Sequence, residues 1–324
     1  MVGKITGLGG YLPPHIMTND DLAKIVETND EWITERTGIK RRHISDPLVD
    51  KPSVMAGIAA KAALEDAGIS GEEIDLIVCA STTPDLVFPS LACSVQEAIG
   101  AGESCGCFDV NSACPGWIAA FTTAQSFIEA GRSQKALVIG SECLSNYVDW
   151  TDRGTCILFG DGAGAAVLEA ADETHVESLM RSSCIRGRCL HCETMKQPKR
   201  LDDPEFIKAT NMFMAGREVF KFAVTEVPKI IRDLADKCSV DLNDVDYFIL
   251  HQANARIIEA TAKKLGIDIS KFPMNIDETG NTSTASIPLL MSQMKADGRL
   301  VKGQKLILAS FGGGLTWDAV YLEY

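Results

Sequence analysis

Three polar residues stand where turns follow predicted strands. Cys114 lies in CFDVNSACPGWIAAF, where Phe108 to Val110 reads as a strand and Gly116 to Glu129 as a buried helix. A thiol at that strand-to-helix turn meets the positive end of the helix macrodipole and unbonded N–H groups, and both favour the nucleophilic thiolate. Pro115 fits the first helical position, because the N–H it lacks would have no intrahelical partner there. His251 opens HQANAR directly after the strand VDYFIL, so an imidazole stands at a strand end. Asn281 lies in ETGNTSTASIPLL, a Gly-Asn turn before small and hydroxylic residues and then a helix. Taken singly, each has a plainer alternative: a small buried cysteine, a core or capping histidine, a turn asparagine acting as N-cap. Taken together, they suit covalent catalysis by a thiol with an imidazole and an amide beside it.

The elements that must position them occur twice. ALEDAGISGEEIDLIV, Ala63 to Val78, lies without gaps on LADKCSVDLNDVDYFI, Leu234 to Ile249, with Ile69 on Val240 and Asp75 on Asp246 at a spacing of 171. QKALVIGS from Gln134 resembles QKLILASF from Gln304 at a spacing of 170, and each copy ends in a Gly-rich strand pair, FGDGAGAAVLEA or FGGGLTWDAVYLEY. Helices alternating with near-continuous apolar strands imply two similar α/β halves, residues 1–172 and 173–324, packed against each other. Functional residues then belong at strand ends where the halves meet. Arg181 to Asn211 is polar, basic at first and aperiodic, and reads as a surface excursion or flap.

Composition narrows the class. The 324 residues are 46% hydrophobic and 23% charged, an ordinary globular balance. No apolar run approaches the ~20 residues of a membrane span, and MVGKITGLGG lacks a signal-peptide layout. A soluble, cytoplasmic protein without membrane contact is therefore expected. Eleven cysteines, an odd number, fall partly in strand-like runs and read as free thiols. A net charge of −13 argues against nucleic acid as a partner, and any acidic protein partner must meet a local basic patch. FGDGAG lacks the spacing of a dinucleotide loop and runs into a strand. Cys184, Cys189, His191 and Cys192 have ligand-like spacing, but no second pair follows, so no metal is expected.

DVNSAC, HQAN, GNTS, FGDGAGAAV and FGGGLTW, with DEWITERTGIKRRHI and TDRGT, resemble the thiolase-fold condensing enzymes, and most closely 3-oxoacyl-[acyl-carrier-protein] synthase III. The similarity runs nearly end to end. It implies a thiolase-like fold in which two duplicated α/β halves give an α-β-α-β-α layering, with Cys114, His251 and Asn281 as the triad between them. Asn281 discriminates, since long-chain condensing enzymes of this fold use two histidines and thiolases a second cysteine motif. The implied reaction joins an acyl group from acyl-CoA, held on Cys114, to malonyl carrier protein with loss of CO₂. A thiol suits it as both nucleophile and leaving group. His251 and Asn281 would donate to the enolate, and the N–H groups of Cys114 and Gly313 would form the oxyanion hole.

The resemblance extends to the substrates. It assigns Trp32, Arg36 and Arg153 to the adenine and phosphates of coenzyme A, and Met214, Gly216, Phe220 and Asn254 to the pantetheine channel. Packing for Trp32 and an ion pair for Arg36 are the plainer readings. Lys221, Arg256, Lys263 and Lys264 would dock the acyl carrier protein, with Arg256 and Lys263 sharing a helix face. A homodimer is implied, in which Phe88 crosses to close the partner's acyl pocket; otherwise it is a loop aromatic packed on its own core. Coenzyme A enters only as a thioester substrate, and no cofactor is expected. Pro115 and Trp117 depart from the family pattern and bear on the acyl pocket. Alternatives are a priming ketosynthase or acyltransferase of a polyketide or secondary-metabolite pathway, a Cys-His-Asn hydrolase, and a silent subunit of the same fold.

Overall fold

A computed structural model describes residues 1–172, 175–184, 189–192 and 212–324. Two sheets carry the architecture. The first orders its strands Val2–Tyr11, Gly162–Ala171, Lys135–Glu142, Leu76–Ala80, Gly106–Val110, antiparallel across the first three and parallel thereafter. The second orders them Val176–Ser182, Thr316–Glu323, Lys305–Gly312, Tyr247–Leu250, with the same sequence of antiparallel and parallel pairings. The repeat legible in the chain is thus a repeat of sheet topology, in which, among the described residues, the edge strand Gly106–Val110 has no counterpart.

Both sheets are apolar on two faces, so both need helices on each side. Helices Gly116–Glu129 and Ser286–Ala296 fill the space between them. Trp117, Ile118 and Phe121 from one and Leu290, Met291 and Met294 from the other pack among Val138 and Leu168 of the first sheet and Leu308 and Val320 of the second. The helix Pro52–Ala67 covers the outer face of the first sheet, and Gly216–Cys238 with Ala255–Leu265 that of the second. The result is the α-β-α-β-α layering of the thiolase fold.

Local readings fared unevenly. The buried helix occupies Gly116–Glu129, but Pro115 is its N-cap rather than its first helical residue, at φ −69° and ψ −1°. A ring-locked φ near −65° suits either place, so the ring alone could not distinguish them. Trp117 is a core residue and does not line the cavity that holds Cys114. It is 1% exposed, stacks beside Phe121 and donates its indole N–H to Val138 O at 3.3 Å. FGDGAG is structural: Asp161 accepts from the backbone N–H groups of Ser45 and Ser145 and from both hydroxyls. Most of the Arg181 to Asn211 excursion lies outside the described residues. Its described parts are strand ends, Leu190–Cys192 pairing with Met212–Met214. Among the described residues no three His, Cys, Asp or Glu side chains are placed to hold a metal, and no helix is long and apolar enough to cross a membrane.

Candidate active site

Cys114, His251 and Asn281 line one cavity of about 960 Å³ between the ends of the two sheets, within the size range of small-molecule sites. Each is held by backbone before its side chain is considered. Ala113, one residue ahead of the thiol, sits at φ +51°, and its N–H donates to Asn111 Oδ1 at 3.1 Å. A non-glycine residue in this left-handed region costs on the order of 1–3 kcal/mol and persists only where neighbours enforce it. Behind the turn lies Gly312. A Cβ there would fall 2.7 Å from Cys114 N, so only glycine lets the strand come this close. Gly313, expected in the oxyanion hole, lines the cavity, and a Cβ there would come no nearer than 3.2 Å to its surroundings.

His251 is fixed by its N–H to Ala309 O at 2.9 Å, and its ring meets Phe311 edge-on with centroids 5.5 Å apart. Its Nδ1 lies 2.7 Å from Ser286 Oγ. Asn281 bridges to the first half, donating its N–H to Leu158 O at 2.8 Å and accepting from Gly160 N at 3.0 Å. Its Oδ1 accepts from Ser283 N at 2.8 Å, which leaves the side-chain NH₂ as the group it can present to the cavity.

Electrostatics revise the thiolate expectation. Burial pushes the Cys114 thiol up to about 11, with Glu142 adding to the rise and the Ser283 hydroxyl, 3.4 Å from Sγ, opposing it. Desolvation outweighs the hydrogen bonds that oppose it, so the sulfur rests as a thiol. Burial also lowers His251 to about 3, and the ring is therefore neutral at physiological pH. Glu142 is fully buried and accepts from Thr82, Thr83 and Thr284. Motif spacing gave no sign of it, since its partners come from two segments far from it in the chain, Thr82 with Thr83 and Thr284.

Toward the mouth, two guanidinium groups lie over the Trp32 ring, Arg36 at 4.7 Å and Arg153 at 4.9 Å from its centroid. Trp32 also packs against the buried cluster that holds Leu22, Ile33 and Leu144, so the packing expected of it and the guanidinium contacts coexist. Asn254 caps the helix Ala255–Leu265 by accepting from Arg256 N and also donates to Arg36 O. Met214, Gly216, Phe220, Asn254 and Arg256 line the cavity, with Arg256 over the Phe220 ring at 5.6 Å. Lys221, Lys263 and Lys264 are exposed and do not line it; the last two fall in the final helical turn, where cations also complement the macrodipole. Leu190, His191, Cys192 and Met212 line it too. The first three come from the aperiodic excursion and Met212 follows it; His191 and Cys192, singled out in the sequence only for ligand-like spacing, line the cavity instead. Phe88 is 84% exposed, next to Val87 at 93%, so it does not pack on its own core.

Comparison with known proteins agrees with this geometry. Residues 108–185 match the family 3-oxoacyl-[acyl-carrier-protein (ACP)] synthase III, and residues 235–324 its C-terminal domain. Beta-ketoacyl-[acyl-carrier-protein] synthase III of Clostridium acetobutylicum is 45% identical over 322 residues, 99% of this chain and 98% of the relative. The crystal structure of 3-oxoacyl-[acyl-carrier-protein] synthase III from Aquifex aeolicus VF5 superposes with a TM-score of 0.92 at 43% identity, covering 99% of this chain and 100% of that one. The priming beta-ketosynthase of the R1128 polyketide pathway gives 0.94 at 30% identity over 99% of this chain and 96% of that one. Shape does not separate these two neighbours, and identity is 43% to the first against 30% to the second. The chain belongs to the 3-oxoacyl-[acyl-carrier-protein] synthase III family: it is an acyltransferase, the condensing enzyme that initiates fatty-acid synthesis.

Proposed function

We propose that Cys114 takes an acyl group from acyl-CoA, acetyl-CoA in the simplest case, and passes it to malonyl carrier protein. The observation that carries this reading is a thiol, a neutral imidazole and an amide NH₂ facing one cavity between the two halves. Cys114 Sγ attacks the thioester carbonyl, an S–C bond forms, and coenzyme A leaves carrying the proton the thiol loses. A resting thiol is compatible with this because attack and proton loss occur together. Malonyl thioester then loses CO₂, and its enolate carbon attacks the acyl-cysteine carbonyl. The C–S bond breaks, 3-oxoacyl carrier protein is released, and the departing Cys114 sulfur takes a proton from solvent, which restores the resting thiol. His251 and Asn281 donate to the enolate oxygen, and neither carries a negative charge that would oppose it. The N–H groups of Cys114 and Gly313 receive the oxyanion of acyl transfer.

No resident cofactor is required, since each bond change is polar and stays within the two thioesters. Trp32, Arg36 and Arg153 suit the adenine and phosphates of coenzyme A. Arg256, at the mouth, with Lys221, Lys263 and Lys264 further out, suits an acidic carrier protein. The exposed Leu86, Val87 and Phe88 favour a homodimer in which Phe88 closes the partner's acyl pocket, and cytoplasmic residence fits free thiols.

The test is incubation with acetyl-CoA and malonyl carrier protein, following acyl-enzyme by intact mass and product by chromatography. Acyl adduct and 3-oxoacyl carrier protein are expected from the wild type and neither from Cys114→Ala, with a dimer by sedimentation. Hydrolysis of the acyl group without condensation would overturn the reading.

A further inference from the structure

The imidazole of His251 is neutral and buried, so one ring nitrogen carries a proton and the other accepts one. Which of them does decides whether the ring can donate into the cavity. Ser286 is buried at the first position of the helix Ser286–Ala296. Its Oγ lies 2.7 Å from His251 Nδ1, and it also accepts from the backbone N–H of Gln252 at 3.4 Å. Among the described residues these are its hydrogen-bond partners. Had Nδ1 carried the proton, the Ser286 oxygen would accept two N–H groups and its own buried O–H would have no acceptor. Donation from Ser286 to Nδ1 leaves every polar group paired.

We infer that Ser286 is a positioning residue that donates to Nδ1 of His251 and so fixes the tautomer in which Nε2–H faces the reacting thioester. Two consequences follow for the reaction. Nε2 is a donor to the enolate from the outset, with no proton to be fetched. It is equally unable to accept the Cys114 proton, so the histidine serves decarboxylation and not activation of the thiol. A mere structural role for Ser286 would predict neither.

This inference rests on the donor role of His251 proposed above, and the two are tested apart. Nitrogen-15 NMR of the wild-type enzyme, with the His251 signals assigned by their loss in His251→Asn, reads protonation at each ring nitrogen directly. An unprotonated Nδ1 and a protonated Nε2 are expected at neutral pH; a protonated Nδ1 overturns the inference without any substitution. Ser286→Ala should lose the fixed tautomer and lower kcat for malonyl decarboxylation roughly tenfold, less than the 10²–10³ lost with a whole donor. Its KM and the rate of Cys114 acylation should stay within about twofold of wild type, because ground-state binding and the nucleophile are untouched. Ser286→Thr, which keeps the hydroxyl, should restore decarboxylation. An equal fall in acylation and decarboxylation, or no rescue by threonine in a folded variant, overturns it. Normal decarboxylation by His251→Ala would instead remove the donor role while leaving the tautomer result standing.

Discussion

Asn111 to Gly116 and Asn281 to Ser286 lie 170 residues apart and are built alike. In each, the asparagine Oδ1 accepts from the N–H two residues on, at 3.1 Å to Ala113 and 2.8 Å to Ser283. In each, that second residue is left-handed, at φ +51° and +50°, and a helix between the sheets begins three residues later. The two differ in what sits on the turn and what backs it. Cys114 backs onto Gly312, which offers no side chain. Its counterpart Thr284 meets the carboxylate of Glu142, 3.2 Å from its hydroxyl, at the position equivalent to Gly312. One strained turn therefore serves as a nucleophile mount in the first half and as a tether in the second. There the asparagine that opens the turn, rather than the residue three positions later, lines the cavity. The fold demands the turn; the chemistry depends on a few atoms exchanged on it.

The comparison breaks most visibly if the thiol is moved between the copies. Cys114→Ala with Thr284→Cys retains a sulfur at the equivalent place, but Thr284 is buried, does not line the cavity and is tied to Ala80 O and Glu142. The double variant should form no acyl-enzyme and should lose condensation by roughly 10⁶-fold, the scale of deleting a nucleophile. Intact mass after acetyl-CoA treatment checks it, and an adduct on residue 284 would mean that the turn alone makes the nucleophile.

A finer test removes the same hydrogen bond from each copy. Asn111→Ala and Asn281→Ala each delete a turn acceptor and should each cost about 1 kcal/mol in urea unfolding. Only Asn281→Ala should also lower decarboxylation, by roughly 10²–10³, because it alone supplies a donor to the enolate. Carbon dioxide release from malonyl thioester separates them. Equal kinetic losses would show that turn geometry, and not the amide, is what the reaction uses.

These residues also show what can be read from a chain alone. Cys114 and His251 were legible because local signals converge on them: an apolar strand ends, a polar residue follows and a helix begins. Asn281 was legible through GNTS, although its role as the mate of Asn111 needed the coordinates. The missed residues act across the interface between the halves. Gly312 matters because Cys114 N comes within 2.7 Å of where its Cβ would be, and Ser286 because His251 arrives from the other side. Neither approach leaves a trace in spacing or periodicity. The resting thiol was misjudged for a related reason: a helix end is visible in sequence, whereas burial of the sulfur is not.

The two sheets differ again where they meet these helices, and here the expected effect is smallest. In the first sheet Gly140 pairs in register with Gly164, and a Cβ on either would fall 2.6 Å from Thr284 O or 2.7 Å from Leu289 N. The second sheet places Ser310 opposite Asp318 at the corresponding positions, both 1% exposed. Among the described residues Ser310 Oγ and Asp318 Oδ2 have no hydrogen-bond partner, and burial lifts the Asp318 carboxyl from 3.8 to about 7. Between those values the folded protein holds a proton that the unfolded chain releases. Stability therefore falls as pH rises through this window, and the loss is complete above pH 7. Relaxation around the charged group should reduce the penalty to on the order of 2 kcal/mol. His251 acts in the opposite sense at lower pH, since its folded value of about 3 lies below the ordinary 6.5 and the unfolded chain binds the extra proton. Comparing wild type with Asp318→Asn at matched pH cancels that contribution. Urea midpoints should be close at pH 4 and diverge progressively to pH 8, with the asparagine variant the more stable. Parallel curves would mean that Asp318 is ionised and solvated in the folded protein, and that the polar pair in the second sheet is no weaker than the glycine pair in the first.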